Sequence, residues 1–162
     1  MNKQNIDDVV IRDATNGDAE RVAALIFSVL AEYGLKPDPE STDADLKDIE
    51  VNYIQSGGLF ELIENKEGDL LGTVGLYPVD KNTCELRKMY FVRQARGLGL
   101  GRRVLERTVS RARELGFKTV FLETAGVLKE AIRLYSIFGF VPMQSEHLSA
   151  RCDRAYVLKL AE

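Results

Sequence analysis

The chain has 162 residues, of which 45% are hydrophobic and 29% are charged, and its formal net charge is −3. This size and composition are typical of one globular domain, so we expect a single domain over residues 1–162. The acidic balance gives no electrostatic case for nucleic-acid binding. No apolar run approaches the about 18 residues of a membrane span, so we expect no membrane segment.

The two cysteines, Cys84 and Cys152, form neither a CxxC pair nor a ligand cluster. We therefore predict no metal site, and both thiols are expected as small core residues in a reducing compartment. The N-terminal segment MNKQNIDD is polar and lacks the apolar stretch of a secretory signal. A cytoplasmic location is the expectation that follows.

Hydrophobic periodicity and turn residues predict the elements of the chain. In chain order they are a strand at residues 9–14, a helix at 18–33, a short second helix with a capping box at 42–45, strands at 59–64, 70–77 and 84–92, a helix at 99–115, a strand at 119–123, a helix at 128–138, and strands at 140–144 and 155–160. Gly34, Gly116 and Gly139 are placed to end three of the helices.

Three glycines at alternate positions, Gly97, Gly99 and Gly101, lie between a predicted strand and a predicted helix. The first turn of a helix has free N–H groups and a partial positive charge, and glycine lets a phosphate approach the backbone. We interpret this segment as a pyrophosphate cradle. It is not a dinucleotide fingerprint, because the third glycine of GxGxxG would fall on Arg102 or Val104. A flexible turn before a surface helix is the alternative.

Two motifs give the segment a context. Residues 96–101 fit R-x-x-G-x-G, and residues 131–140 fit A-x-x-L-Y-x-x-x-G-F. Together they resemble the GNAT superfamily of acyl-CoA-dependent N-acetyltransferases, over residues 9–160 and most closely over residues 85–140. The resemblance implies an α/β (α+β) GNAT fold, with a mixed, twisted sheet of about seven strands and helices on both faces. In that fold the sheet opens between the strand before the glycines and the strand after them, and the cofactor lies in this opening.

The resemblance also implies an activity, the transfer of an acetyl group from acetyl-CoA to a primary amine by direct attack. The pyrophosphate would rest on backbone N–H groups of the cradle, and pantetheine would run along the edge of the strand before it. A backbone N–H of that edge would also polarise the thioester carbonyl. The implied cofactor-binding residues are Met89, Tyr90, Phe91, Arg96, Gly97, Leu98, Gly99, Leu100, Gly101 and Arg102.

Two catalytic residues are implied by position. Tyr135 matches the tyrosine that in many family members protonates the leaving thiolate, and a packed core tyrosine is the alternative. Glu85 matches a strand glutamate that serves as the base in several relatives. Strand alternation would put it on one face with Arg87, Met89 and Phe91. An exposed glutamate paired with Arg87 is the alternative, and Glu123 is the second candidate base.

One position departs from the family pattern. The Asn that often begins the second-motif helix, where it binds pantetheine, is replaced by Leu128, so this contact is lost or replaced, with Thr124 as the candidate. The only histidine, His147, is expected on a surface loop, and a place in the acceptor pocket is the alternative.

The acceptor, a small-molecule or peptide amine, is not specified by the sequence. By resemblance it is set by the first two helices and by the loops at residues 34–41 and 145–153. The acidic residues of the first region either attract a cationic amine or keep the surface soluble; they are Asp38, Glu40, Asp43, Asp45 and Asp48. A non-catalytic acyl-CoA-binding module and an NAD-binding domain are the alternative functions, and homodimerisation is left open.

Overall fold

A seven-stranded mixed sheet is the frame of the molecule, for which the computed structural model describes residues 8–161. The elements are β1 (Val10–Asp13), α1 (Ala19–Glu32), β2 (Leu59–Glu64), β3 (Leu70–Pro78), β4 (Thr83–Phe91), α2 (Leu100–Glu114), β5 (Thr119–Thr124), α3 (Lys129–Phe138), β6 (Val141–Met143) and β7 (Arg154–Lys159). The predicted domain limits at residues 1 and 162, and the polar N-terminal segment before Asp8, lie outside the described residues. In the part of the chain that is described, no helix is long and apolar enough to cross a membrane.

The strand order is β1-β2-β3-β4-β5-β7-β6, and every neighbouring pair is antiparallel except β4 and β5. These two strands pair only where Thr83, Cys84 and Glu85 lie beside residues 119–121. β4 then continues to Phe91 and β5 to Thr124 without pairing to each other. The sheet therefore opens between them, as the resemblance predicted.

Helices cover both faces of the sheet, which confirms the predicted fold class. One core contains the apolar stripe of α1 together with Tyr53 and Phe60. The other contains the apolar stripe of α2, represented by Val104 and Leu105, and Tyr135 of α3. These stripes follow the 3.6-residue spacing from which the helices were predicted.

The predicted second helix differs from the structure. Ala44–Asp48 is a short 3-10 helix, and Glu50–Gln55 is a turn of π-helix. The capping box predicted at residues 42–45 is absent, because Asp45 accepts a hydrogen bond from the buried Tyr53 hydroxyl instead of capping the backbone. A capping box forms at Thr15 and Asp18, immediately before α1.

A β-bulge in β4 corrects the predicted alternation. Tyr90 lies opposite Thr73 whereas Arg87 lies opposite Gly75, and Lys88 has a positive φ of 55°. The extra residue reverses the alternation of the strand. Met89 and Phe91 therefore pack against the α2 core, and not on the face that carries Glu85 and Arg87.

Candidate active site

A cleft of about 330 Å³ occupies the opening between β4 and β5. Its walls come from β4, the glycine segment, the start of α2, the end of β5 and α3. The loops around residues 41–42 and 149–152 border it as well. The cleft thus brings the two sequence motifs together, although their centres are far apart in the chain.

The glycine segment forms an open cradle at one end of the cleft. Gly97 and Gly99 have φ values of 78° and 80°, in the left-handed region that favours glycine. Apart from the two adjacent residues, no atom of residues 8–161 lies within 4 Å of the point where a Cβ would stand on either glycine, so the space beside them is open. Gly99 is also the N-cap residue of α2, and no side chain caps the helix there. The first N–H groups of α2 are therefore available to an anion, which fits the pyrophosphate of a nucleotide.

Arg96 braces the cradle with its side chain. Its guanidinium donates to the carbonyl oxygen of Phe91 from Nε at 3.0 Å and from Nη2 at 2.8 Å. Nη1 donates to Glu32 at 2.7 Å, and this bond chiefly lowers the pKa of the Glu32 carboxyl. Arg102, by contrast, is exposed and pairs with Glu106 one turn along α2. Arg96 therefore joins the end of β4 to α1 rather than pointing into open solvent.

Most of the remaining predicted cofactor residues lie along the same cleft, but Leu98 and Arg102 do not line it. Met89, Tyr90 and Phe91 occupy the part of β4 that has left β5, and all three line the opening. Leu128, the N-cap residue of α3, lines it from the other side. Thr124, at the end of β5, is buried in the same wall. Its role as a replacement for the family's Asn stays a prediction.

Tyr135 lies in the cleft wall and is 6% exposed. Its ring contacts that of Phe140, with centroids 5.7 Å apart. Burial raises the pKa of the Tyr135 hydroxyl, and the neighbouring Tyr90 and Cys152 raise it further. A tyrosine in this environment keeps its proton at neutral pH, so its hydroxyl is a hydrogen-bond donor towards the cleft.

Two glutamates line the other end of the cleft. Glu85 on β4 forms an ion pair with Arg87, with Oε2 and Nη2 2.9 Å apart. Glu123 on β5 accepts hydrogen bonds from the backbone N–H and the hydroxyl of Ser149, each at 3.2 Å. Burial raises the pKa of the Glu123 carboxyl, and the charge of Glu85 raises it further. The structure thus brings together both carboxylates that the sequence proposed as candidate bases.

A buried ion cluster at this end of the cleft is a feature that sequence reasoning missed. The side chain of Asp43 is fully buried and contacts Lys88 Nζ at 2.6 Å and Arg151 Nη1 at 2.7 Å. Asp45 lies 3.6 Å from both Lys88 and Arg87. Asp43 and Asp45 are therefore internal ion-pair partners, which corrects their assignment to a surface or to amine attraction. Nothing in the sequence pairs residues so far apart.

The cysteines differ in their positions. Cys84 is buried in the α2 core, as predicted, whereas Cys152 is half-buried and lines the cleft. Burial raises the pKa of Cys84 to about 12 and of Cys152 to about 11, so both thiols stay protonated at neutral pH. Neither is poised as a nucleophile. No group of three metal-binding side chains occurs within residues 8–161.

Comparisons with known proteins agree with this geometry. The acetyltransferase (GNAT) family model matches residues 24–140. The chain is 40% identical over 136 residues to the uncharacterized N-acetyltransferase YjgM of Escherichia coli (strain K12), covering 81% of each protein. This protein therefore belongs to the acetyltransferase (GNAT) family, whose general activity is N-acetyl transfer.

Solved structures show the same fold. An acetyltransferase of the GNAT family from Staphylococcus aureus Mu50 has a TM-score of 0.88 and 28% identity, covering 94% of this chain and 99% of that one. A GNAT family acetyltransferase from Elizabethkingia anophelis with acetyl-CoA bound has a TM-score of 0.67 and 19% identity, covering 95% and 99%.

Proposed function

We propose that this protein transfers an acetyl group from acetyl-CoA to a primary amine, in a ternary complex of enzyme and both substrates. One observation carries the proposal: a single cleft has an anion cradle at one end, two carboxylates at the other and a buried tyrosine in its wall. The S. aureus and E. anophelis structures support the cofactor, because both share the fold and the second was solved with acetyl-CoA.

The cradle and the edge of β4 would hold acetyl-CoA. Backbone N–H groups from Gly97 to Arg102 are suited to its pyrophosphate, since Gly97 and Gly99 leave the backbone open, whereas the Arg96 N–H already donates to the carbonyl of Arg93 at 3.1 Å. The free edge of β4 at residues 89–91 offers main-chain groups to the amides of pantetheine, as an added strand would use them. The carbonyl of Phe91 already accepts from Arg96, so contacts there would fall on other main-chain groups.

The carboxylates would remove a proton from the amine. Making a lysine-like amine neutral at pH 7 costs about 4.6 kcal/mol, because its pKa is about 10.4. Glu85 and Glu123 lie in the cleft wall, where a carboxylate can accept that proton directly or through water. Bound acetyl-CoA supplies the thioester carbonyl that the neutral amine attacks.

Tyr135 would protonate the leaving sulfur. Burial keeps its hydroxyl protonated at neutral pH, and transfer of that proton to sulfur must be coupled to reprotonation of Tyr135, because a thiolate is a weaker base than a buried tyrosinate. The second proton of the attacking nitrogen restores the one that Tyr135 gives up. Overall, the N–C bond replaces the C–S bond, the thiol carries one proton, and one proton is released.

The first test is calorimetric titration of the protein with acetyl-CoA, and with NAD as the matched nucleotide control. We expect micromolar binding of acetyl-CoA and none of NAD. Turnover is then followed by release of free thiol with a panel of amino acids, polyamines and peptide amines. Binding without turnover across the panel would identify a non-catalytic acyl-CoA-binding module, and failure to bind acetyl-CoA would overturn the proposal.

A further inference from the structure

We propose that Arg87 positions Glu85 as a fixed ion-pair partner in the cleft wall, and that Glu123 is the carboxylate that takes the proton from the amine. The catalytic half of this inference rests on the proposed function. The positioning half concerns the free protein alone.

Arg87 is held from several sides. Its Nη2 lies 2.9 Å from Glu85, and its Nη1 lies 3.6 Å from Asp45. Its guanidinium carbon stands 3.9 Å from the centre of the Tyr77 ring, within the range of a cation–π contact. The Arg87 side chain is 28% exposed and lines the cleft. A guanidinium fixed by these contacts has little freedom to leave Glu85.

Asp45 anchors this arrangement in the core. Its carboxylate accepts a hydrogen bond from the hydroxyl of Tyr53, which is fully buried. A continuous chain of polar contacts therefore runs from Tyr53 through Asp45 and Arg87 to Glu85. Glu85 is the last residue in this chain of contacts. Its side chain is held in place because Arg87 Nη2 pairs with its carboxylate oxygen Oε2.

Glu123 has a different environment. It is hydrogen-bonded by Ser149, and the described residues provide it with no Lys or Arg partner within 4 Å. Glu85 faces it from β4 and raises the pKa of its carboxyl after burial, whereas Arg87 lowers it slightly. The Cys152 thiol faces it from the loop after β6. A carboxylate with a raised pKa and no ion-pair partner accepts protons better near neutral pH than one locked to an arginine.

The proton step balances without a further reactant. One N–H bond of the ammonium breaks, its electron pair stays on nitrogen, and the proton forms an O–H bond with Glu123, directly or through one water. The neutral nitrogen can then attack, and the carboxylic acid returns its proton to solvent after turnover. Glu85 contributes its negative charge and exchanges no proton in this sequence.

The positioning half is tested by NMR on the free protein, with carbon-13 in the glutamate carboxyl groups. The Glu123 signal, assigned by its loss in Glu123→Gln, is followed against pH. We expect Glu85→Gln to lower its titration midpoint by about one pH unit, because a like charge is removed, and Arg87→Met to raise it by a smaller amount, because a more weakly acting opposite charge is removed. Arg87→Lys keeps the positive charge and should restore most of the wild-type midpoint.

The control is Arg111→Met, which removes an arginine that pairs with Glu114 on the surface of α2. It should leave the Glu123 midpoint unchanged. If neither Glu85→Gln nor Arg87→Met changes the titration midpoint of Glu123, the positioning role is overturned. If Arg87→Met fails to fold, the midpoints of Glu85→Gln and Arg87→Lys still test the proposal, because both substitutions keep the size of the side chain nearly unchanged.

The catalytic half is tested by kinetics with an amine that wild type acetylates. We expect Glu123→Gln to lower kcat by about 10²-fold with unchanged acetyl-CoA affinity, and Glu85→Gln to lower it less. The reverse order of effects would assign the base to Glu85 and overturn this half. If the wild type acetylates no amine, the proposed function fails with this half, whereas the NMR result stands independently.

Discussion

Arg151 donates hydrogen bonds from both terminal nitrogens to the two carboxylate oxygens of Asp43, at 2.7 and 2.8 Å, across 108 positions of sequence. Lys88, at the bulge of β4, donates to the same carboxylate at 2.6 Å and to the carbonyl of Thr42 at 3.0 Å. The Asp43 side chain is fully buried. One carboxylate thus ties together the two loops and the strand that border the cleft.

Asp43→Asn is expected to destabilise the protein by about 3–5 kcal/mol, because it leaves two buried cations without their counter-charge. Urea unfolding at pH 7 measures this loss. Glu40→Gln is the matched control, since Glu40 lies in the same loop but its side chain is 86% exposed. The control should change the free energy of unfolding by less than about 0.5 kcal/mol. Equal losses in the two variants would mean that the buried cluster adds no specific stability.

The same carboxylate predicts a pH dependence of stability. Burial alone would raise the pKa of Asp43, but the hydrogen bonds from Arg151 and Lys88 outweigh it and hold this pKa well below its usual range. A depressed native pKa contributes stability above the unfolded pKa of about 3.9, and the contribution is lost as pH falls below it. Unfolding of wild type and Asp43→Asn measured from pH 6 to pH 2 should therefore converge as the pH falls. A constant difference would contradict the depressed pKa.

The contacts of Arg96 predict how its substitution will change the affinity for acetyl-CoA. Arg96→Met should weaken acetyl-CoA binding several-fold, because the junction of β4 with the cradle loses its contacts to Phe91 and Glu32. Glu32→Gln should weaken it in the same direction but less. If Arg96 bound the phosphates directly, Glu32→Gln would release the guanidinium and strengthen binding. Calorimetric titration of both variants separates the two roles.

The elements and the cleft could be predicted because their signals are local. The stripe that contains Val104 and Leu105 repeats at helical spacing, and Gly97 and Gly99 mark a turn that few other residues adopt. The motif with Tyr135 then placed α3 beside the same opening. Short-range periodicity predicted most of the elements, and the resemblance of the two motifs to the GNAT family implied the sheet and its opening.

The buried ion cluster beside Glu85 and Glu123 could not be predicted, because its contacts are long-range. The pairing of Asp43 with Arg151 depends on two loops that meet only in the folded chain. No glycine or proline marks the bulge at Lys88 in the sequence, yet the bulge turns Met89 away from the face of Glu85. Cys152 is half-buried because it lies next to Arg151, in the loop that packs against Asp43. Pattern alone does not determine which distant polar groups will compensate one another on burial.

Gly99→Glu tests the cradle. A glutamate there would place a carboxylate in the open space beside the first turn of α2 and would be strained by the positive φ. We expect loss of measurable acetyl-CoA binding by calorimetry. Gly68→Glu is the control, because Gly68 has a similar φ of 83° and equally open surroundings in the β2–β3 turn, remote from the cleft. It should share the strain and keep the affinity, whereas retained affinity in Gly99→Glu would refute the cradle.

Tyr135→Phe tests proton donation to the leaving sulfur. Removing the hydroxyl should lower kcat by about 10²-fold, because a general acid is lost, and leave acetyl-CoA affinity within about twofold, because the ring still fills its place. Tyr156→Phe is the matched control: Tyr156 is equally buried in the same core but does not line the cleft. Steady-state kinetics and calorimetry on both variants give the comparison. If Tyr135→Phe keeps the wild-type kcat, or if Tyr156→Phe lowers kcat equally, the hydroxyl of Tyr135 donates no proton and the residue only packs in the core.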